Sequence, residues 1–407
     1  MNHAIHDFTA KLRQPSLTDH VAAYVRWRKD LGRARAQGLP DPPAPDLAPI
    51  SINLDLTTAC NYRCDHCIDW DILNSRHKYA EGELRASVRI MAERGLRSVI
   101  LIGGGEPTLY PGFADFVRYL KELGLQVAIV SNGGRGERLV EAIGFMDEKD
   151  WIRLSLDSGS NALFRAMHRP VDKKLDLDAI CAWIPKLKAR NPRVKIGFSF
   201  IIIWKGAERS GVEVHENIGE IVMATERAKR WGFDYISLKP FLVRSPEGAE
   251  VMDPTKAREA LDHVVKRIRA EVDKAKVHAD EKFTVYESTN LRVLERGSWK
   301  DYTRQPRVCH MQALRMVLTP TGLYNCPAHR GEDKARITGP RAYRDSTTAA
   351  DTGEKLADLM DRFDASHECR EVTCLYNGVN WWIEKMVEDP REDLDIEPGV
   401  EGFDYFL

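Results

Sequence analysis

From Ile52 onward, short runs rich in Val, Ile, Leu and aromatic residues alternate with longer amphipathic stretches. The runs Ile52–Leu56, Ser98–Ile102, Gln126–Ser131, Ile152–Leu156, Val194–Ile203 and Tyr235–Leu238 predict strands. Between them, Glu81–Arg94, Phe113–Leu123, Glu137–Ile143, Leu177–Ala189 and Glu216–Trp231 place apolar residues at helical spacing. Such strand–helix repeats, all in one direction, predict an α/β fold with a parallel sheet and right-handed crossovers. The pattern fits an open sheet and a curved partial barrel equally. In both, ligands gather at the carboxyl ends of the strands.

The flanks read differently. Val21–Gln37 has helical character and runs into a proline-rich linker, Leu39-Pro40-Asp41-Pro42-Pro43-Ala44-Pro45, which marks a boundary. After Pro240 a charged helix is predicted over Pro254–Lys276, then a strand over Thr284–Tyr286, then a cysteine-bearing C-terminal region. No internal repeat is evident.

The 407 residues suffice for two domains and a large core that needs no covalent staples. A formal net charge of −1 argues against a general nucleic-acid binder, which usually carries a basic excess. Met1–Gln14 lacks the apolar centre of a signal peptide, and the longest apolar stretch, Ile196–Trp204, is far short of the roughly 20 residues that cross a bilayer. The expectation is a cytoplasmic chain without a membrane partner, where thiols stay reduced. Its eight cysteines then need a reason other than disulfides. Cys181 lies alone in an apolar helical stretch and reads as a core thiol. The others fall in two groups.

The first is Cys60-Asn61-Tyr62-Arg63-Cys64-Asp65-His66-Cys67, directly after the first predicted strand. Three thiolates leave one iron of a four-iron cluster without a protein ligand. An open position is what a catalytic metal site needs, whereas structural sites are closed. Zinc binding and incidental core thiols are the alternatives. The spacing resembles the signature of the radical S-adenosylmethionine (radical SAM) superfamily.

That resemblance extends to Ile102-Gly103-Gly104-Gly105-Glu106-Pro107 at the end of the second predicted strand, similar to the family's glycine–glycine–glutamate–proline motif. It implies that Gly104, Gly105 and Glu106 receive the amino group of the methionine moiety. Ser131-Asn132-Gly133 and Ser155-Leu156-Asp157 resemble family motifs after the third and fourth strands, with helix capping as the alternative role for Ser131 and Asp157. By the same analogy Ser155 and Arg169, with Arg165 in reserve, bind ribose and carboxylate, and His66 sits where an aromatic packs near the adenine. The resemblance covers roughly residues 50–245 and implies a partial (β/α)6 TIM-like barrel with parallel strands. The implied domains are a helical extension and linker over 1–49, the barrel over 50–245, a helical connector over 246–300 and a smaller cysteine-bearing α+β domain over 301–407.

The second group is Cys309, Cys326, Cys369 and Cys374. Thr319-Pro320-Thr321-Gly322-Leu323-Tyr324-Asn325-Cys326-Pro327 reads as a small hairpin. It resembles the SPASM and twitch extensions of the superfamily, with a glycine-to-cysteine gap one residue short. Four cysteines suffice for one closed auxiliary 4Fe-4S cluster, and a structural zinc site is the alternative. His310, His329 and His367 lie nearby and are read as surface histidines unless they complete such a zinc site.

The resemblance implies a 4Fe-4S cluster with exchangeable S-adenosylmethionine, an electron donor such as flavodoxin or ferredoxin, and a 5′-deoxyadenosyl radical that abstracts hydrogen from the substrate. By analogy with relatives carrying one auxiliary cluster, the substrate is a small sugar- or polyol-like molecule undergoing oxidation, dehydration or epimerisation. Lys239 and Tyr235 are the candidate substrate-facing residues, and Trp381-Trp382 beside Asn380 either covers a cleft or fills a core. The rivals are a peptide-modifying maturase with a separate recognition partner, a zinc-stapled interaction protein and a plain electron carrier.

Overall fold

A computed structural model describes residues 7–80, 82–252, 260–391 and 396–407. The main strands are β1 (Ser51–Leu54), β2 (Ser98–Leu101), β3 (Gln126–Ser131), β4 (Trp151–Ser155), β5 (Lys195–Ile202), β6 (Tyr235–Pro240), β7 (Thr284–Glu287), β8 (Arg315–Thr319), β9 (Gly322–Tyr324) and β10 (Arg336–Thr338). Two compact units form. One holds Asp55–His77 and Ile100–Lys300; the other holds His6–Leu54, Lys78–Val99 and Asp301–Leu407.

In the first unit the strand order is β7-β6-β5-β4-β3-β2, and the pairs from β7 to β3 are parallel. The order is linear, so the sheet stays open. Alternation along each strand sorts the two faces. Ile152, Leu154, Ile196, Phe198, Phe200, Ile236 and Leu238 are fully buried, on the face that the helix Ile221–Trp231 packs against at β5 and β6. The opposite face is polar in β4 to β6, with Arg153, Ser155, Ser199, Ser237 and Lys239. Gly197 is required on that face: a Cβ there would fall inside the Tyr235 ring, its register partner on β6.

In the second unit β1 pairs parallel with β8, and β8, β9 and β10 form an antiparallel meander. The long helix Pro15–Ala36 starts with proline at its first turn and buries Leu17, Val21, Tyr24 and Leu31 in a core shared with Met311, Leu314 and Ile383. Trp382 packs against this core, while Trp381 is 40% exposed and donates its indole N–H to the Arg304 carbonyl.

Several expectations shift. The strand at Thr284–Glu287, expected within the helical connector over 246–300, extends the parallel sheet beside β6. The helix expected over Leu177–Ala189 is two, Leu177–Cys181 and Ile184–Arg190, because Pro185 lacks the N–H that a continuous helix needs and fits only a first turn. Asn161–His168 is a helix that periodicity did not mark, N-capped by the Ser160 hydroxyl. Glu81 and residues 254–259 of two expected helices lie outside the described residues; Glu83–Glu93 and Leu261–Lys276 are helical. Cys181 is fully buried, as expected. Among the described residues no helix is long and apolar enough to cross a membrane.

Candidate metal and cofactor site

The three clustered cysteines follow β1 on a loop that other segments hold by backbone bonds. The N–H groups of Arg63, Asp65 and Val171 donate to the carbonyls of His168, Met167 and Asn61 at 3.1, 2.9 and 2.9 Å, so the end of helix Asn161–His168 clamps the loop. The glycine run lies directly under it. Gly104 has φ 66°, and a Cβ on Gly105 would sit 2.7 Å from the Thr57 carbonyl oxygen. At Gly105 backbone meets backbone with no side chain between, whereas Gly104 faces the Asp55 side chain.

Glu106 is buried and its carboxylate is saturated. Oε1 accepts from Thr108 N (3.1 Å), Thr108 Oγ1 (2.6 Å) and Ser131 Oγ (2.7 Å), and Oε2 accepts from Asn132 N at 2.7 Å. Its own N–H donates to Ala59 O at 2.8 Å, which ties the motif to the cysteine loop. Burial still pushes this carboxyl up, against those four hydrogen bonds. Asn132 donates its amide to Asn61 Oδ1 at 2.8 Å and approaches Cys60 Sγ at 4.0 Å.

Around the last two cysteines lies a charged buried network. His66 Nδ1 meets Asp65 Oδ1 at 2.9 Å and Nε2 meets Asp157 Oδ2 at 3.1 Å. Burial opposes its charge, but the two carboxylates outweigh burial and lift His66 to about 9. Asp65 also accepts from His215 Nδ1 at 2.5 Å. Asp157, at φ 46°, accepts the Ile201 N–H at 2.7 Å; it does not cap the following helix, which Ser160 does. His168 is held down to about 4 by burial and then by the His66 charge. Its Nε2 donates to Leu156 O at 3.0 Å, which leaves Nδ1 facing the Cys64 thiol at 3.2 Å. His66, Asp157 and His168 bring ligand atoms within 4.8 Å of one another, with His66 Nε2 at 3.1 Å and His168 Nε2 at 3.6 Å from Asp157 Oδ2.

Burial raises all three thiols; Cys60 and Cys67 charges raise Cys64 further, and Cys67 stands at about 12. Half-buried thiols that stay protonated on their own lose their protons when a cation arrives to balance the thiolates, so the donor set fits an iron–sulfur cluster. Cys181, the first unit's other cysteine, is buried in the helix Leu177–Cys181.

The remaining expectations fare unevenly. Ser131 is drawn in through Glu106. Ser155 is half-buried at the end of β4. Arg169 ends helix Asn161–His168 in the left-handed region, exposed, with its Nε on the Ala166 carbonyl. Arg165 is exposed and bound to Asp176 at 2.7 Å, away from the loop. His66, expected to stack, is buried with both ring nitrogens engaged and its ring edge-on to His168 at 5.0 Å. Tyr235 and Lys239 both lie on the polar face of β6. Sequence reading missed Asp65, His168 and His215; the one signal available was the Asp65-His66 pair inside the cysteine motif. A cleft of about 710 Å³ beside the loop is lined by Trp70, Trp204 and Phe241, with Arg244 bound to Asp71 at 2.9 Å.

In the second unit the thiols of Cys309, Cys326, Cys369 and Cys374 converge. Burial raises Cys369, and the charges of the other three add to it; Cys374 likewise senses Cys309 and Cys326. Asn380 is buried, accepts the Met311 N–H on Oδ1 at 3.1 Å and donates from Nδ2 to Cys309 Sγ at 3.5 Å. The surface reading holds only for His367. His310 and His329 are fully buried, because His310 is fixed between Tyr24 (2.8 Å) and Glu384 (2.5 Å) and His329 packs on Phe363 with Nε2 3.4 Å from Cys369 Sγ.

A family model described as the Radical SAM superfamily matches residues 54–218. The chain carries a radical SAM domain. Its cysteine loop, glycine run, β3 and β4 all fall in the matched stretch. Such a domain implies a 4Fe-4S cluster with S-adenosylmethionine. Among curated relatives, a Thermoplasmatales archaeon protein named S-adenosylmethionine-dependent nucleotide dehydratase is 36% identical over 111 residues, 26% of this chain and 38% of that protein. A GTP 3′,8-cyclase of Chlorobaculum tepidum is 30% identical over 132 residues, 31% of this chain and 39% of the relative. The chain therefore spans well under half the length of these relatives. SuiB of Streptococcus suis, solved with bound S-adenosylmethionine, superposes with a TM-score of 0.54 at 14% identity, over 79% of this chain and 68% of that one. That likeness shows the fold: a mostly parallel sheet with helices, open and not closed into a full barrel.

Proposed function

We propose that the protein cleaves S-adenosylmethionine reductively at a 4Fe-4S cluster held by Cys60, Cys64 and Cys67, and abstracts a hydrogen atom from a small sugar-bearing or polyol substrate. The observation that carries this is the set of three half-buried thiols on one loop clamped by backbone bonds, with the glycine run packed beneath it. When bound, such a cluster supplies the electron that splits the sulfonium and releases a 5′-deoxyadenosyl radical. The chain's own residues hold the geometry: Glu106 gathers the ends of β2 and β3, and the Asp65–His66–Asp157 network holds the loop against β4 and β5. The curated names of the relatives, a nucleotide dehydratase and a GTP cyclase, support a ribose-bearing substrate.

For the second unit we favour one closed auxiliary 4Fe-4S cluster, in a SPASM- or twitch-like domain over 301–407, above zinc. Four thiolates on one zinc ion, at Zn–S of about 2.3 Å, stand about 3.8 Å apart. Among the described residues no three of these cysteine sulfurs lie within 4.8 Å of one another, which suits the wider spacing of a cluster.

The test is anaerobic reconstitution, with iron counted and 5′-deoxyadenosine measured by mass spectrometry. Deuterium transfer from substrates labelled at single carbons then identifies the substrate and the site of abstraction. A Cys60, Cys64, Cys67 triple alanine variant that still formed 5′-deoxyadenosine would overturn the proposal.

A further inference from the structure

The polar face of β4, β5 and β6 holds two basic side chains, Arg153 and Lys239, that make no ion pair among the described residues. Parallel register sets Arg153 level with Gly197 and Tyr235, Ser155 level with Ser199 and Ser237, and Ile201 level with Lys239. Residues paired in this way project from the same side of a sheet, so a lower rank of Arg153 and Tyr235 and an upper Lys239 face one space across three serines. The Tyr235 ring covers Gly197, and only the three small serine side chains stand between that rank and Lys239.

Arg153 lies over the Trp151 ring, 5.0 Å from its centroid, and its Nε is buried without a hydrogen-bond partner. Among the described residues Arg153 and Lys239 make no ion pair, and neither Lys239 nor the hydroxyls of Ser155, Ser199 and Ser237 make a side-chain hydrogen bond. The carboxylate that Lys239 senses is Asp157, whose Oδ1 and Oδ2 are already taken by Ile201 N and His66. Burial and then the Arg153 charge hold the Lys239 ammonium well below the usual lysine range, and burial also lowers Arg153. Two basic side chains without an ion pair, whose charged forms burial disfavours, oppose folding when both are protonated. Their arrangement makes chemical sense once an anion sits between them.

We infer that the polar face carries an anion subsite built by Arg153 and Lys239 with the three serine hydroxyls, and that the substrate carries a carboxylate or phosphate group that binds there. Only the word "substrate" rests on the proposed reaction; the anion site stands on the geometry of this face. Arg153 and Lys239 are then binding residues, and the serines supply neutral donors to the same group.

The test uses iron-loaded protein under anaerobic conditions, titrated calorimetrically with inorganic phosphate, with succinate and separately with S-adenosylmethionine. Wild type is expected to bind one of the two anion probes saturably; which one identifies phosphate or carboxylate as the source. Arg153→Gln and Lys239→Met should each weaken that binding at least tenfold, about 1.4 kcal/mol, while Lys239→Arg keeps most of it. Without anion, both neutral variants should melt at or above the wild-type temperature, because an uncompensated cation has gone; a merely structural arginine would give the reverse. Binding of neither probe by wild type overturns the site. So does equal binding by the neutral variants, or a loss of S-adenosylmethionine affinity in them with no change toward the anions, which would hand the pair to the cofactor's own carboxylate. Formation of 5′-deoxyadenosine by wild type is measured alongside, so failure of the proposed reaction and failure of the anion site are read separately.

Discussion

The two cysteine regions solve one problem in opposite ways. In the first, three thiols come from a single eight-residue stretch, and the surrounding fold only has to pin that stretch down. In the second, four thiols come from positions between 309 and 374, and the fold itself has to assemble them. The first set is held by backbone bonds from residues 167–171 and the glycine run. The second depends on a hairpin, two short helices and the buried Asn380 amide. A local ligand set can leave one coordination position open without losing its shape. A dispersed set is coupled to folding and so suits a closed, structural role.

The largest expected effect tests the local set. Replacing Cys60, Cys64 and Cys67 together by alanine should remove about four irons and abolish 5′-deoxyadenosine formation, with little change in melting temperature, because the loop's clamp is backbone. Iron analysis beside a melting curve checks both halves; a collapse of the fold would break the contrast drawn above.

Cys326→Ala probes the dispersed set. It should lower iron by about one cluster, roughly four atoms, and raise proteolytic sensitivity across residues 301–407, while some uncoupled cleavage of S-adenosylmethionine persists. Zinc lost in place of iron would turn this region into a structural staple.

Glu106 sharpens the comparison on the side of the first region. Glu106→Ala strips the acceptor from four donors on Thr108, Ser131 and Asn132, and should cost about 2–4 kcal/mol in urea unfolding. Glu106→Gln keeps part of the acceptor set and should cost less. If Glu106→Ala instead weakened S-adenosylmethionine binding at unchanged stability, the carboxylate would be a cofactor ligand, as the family resemblance implies, and not a tie between strand ends.

The smallest effect is expected on the polar face. Gly197→Ala should displace the Tyr235 ring and cost about 1–3 kcal/mol. Adding Tyr235→Phe removes only a hydroxyl and should not relieve that clash, whereas adding Tyr235→Ala should. The double-variant stabilities measure this directly.

Much of the fold was legible because its signals are short-range. Alternating apolar runs marked the strands, and proline and glycine marked the breaks. The cysteine spacing and the glycine run were legible for the same reason: all their members lie within a few residues. The second cysteine group was legible only as a count, since convergence of Cys309, Cys326, Cys369 and Cys374 is a matter of chain reversal and not of spacing.

The chain's sequence by itself determined that parallel strands would form, that a three-thiol loop would follow the first of them and that a glycine run would end the second. Tertiary structure alone decided what those pieces touch. It brought His168 and His215 from distant segments to Cys64 and Asp65, buried Glu106 among donors from Thr108, Ser131 and Asn132, and buried His310 and His329. It also aligned Arg153 with Tyr235 across Gly197 and set Lys239 two ranks above them. The physical reason is register. A side chain's rank and face in a parallel sheet depend on how separate strands align, and that alignment is settled by the packing of the whole unit and not by any one stretch of chain.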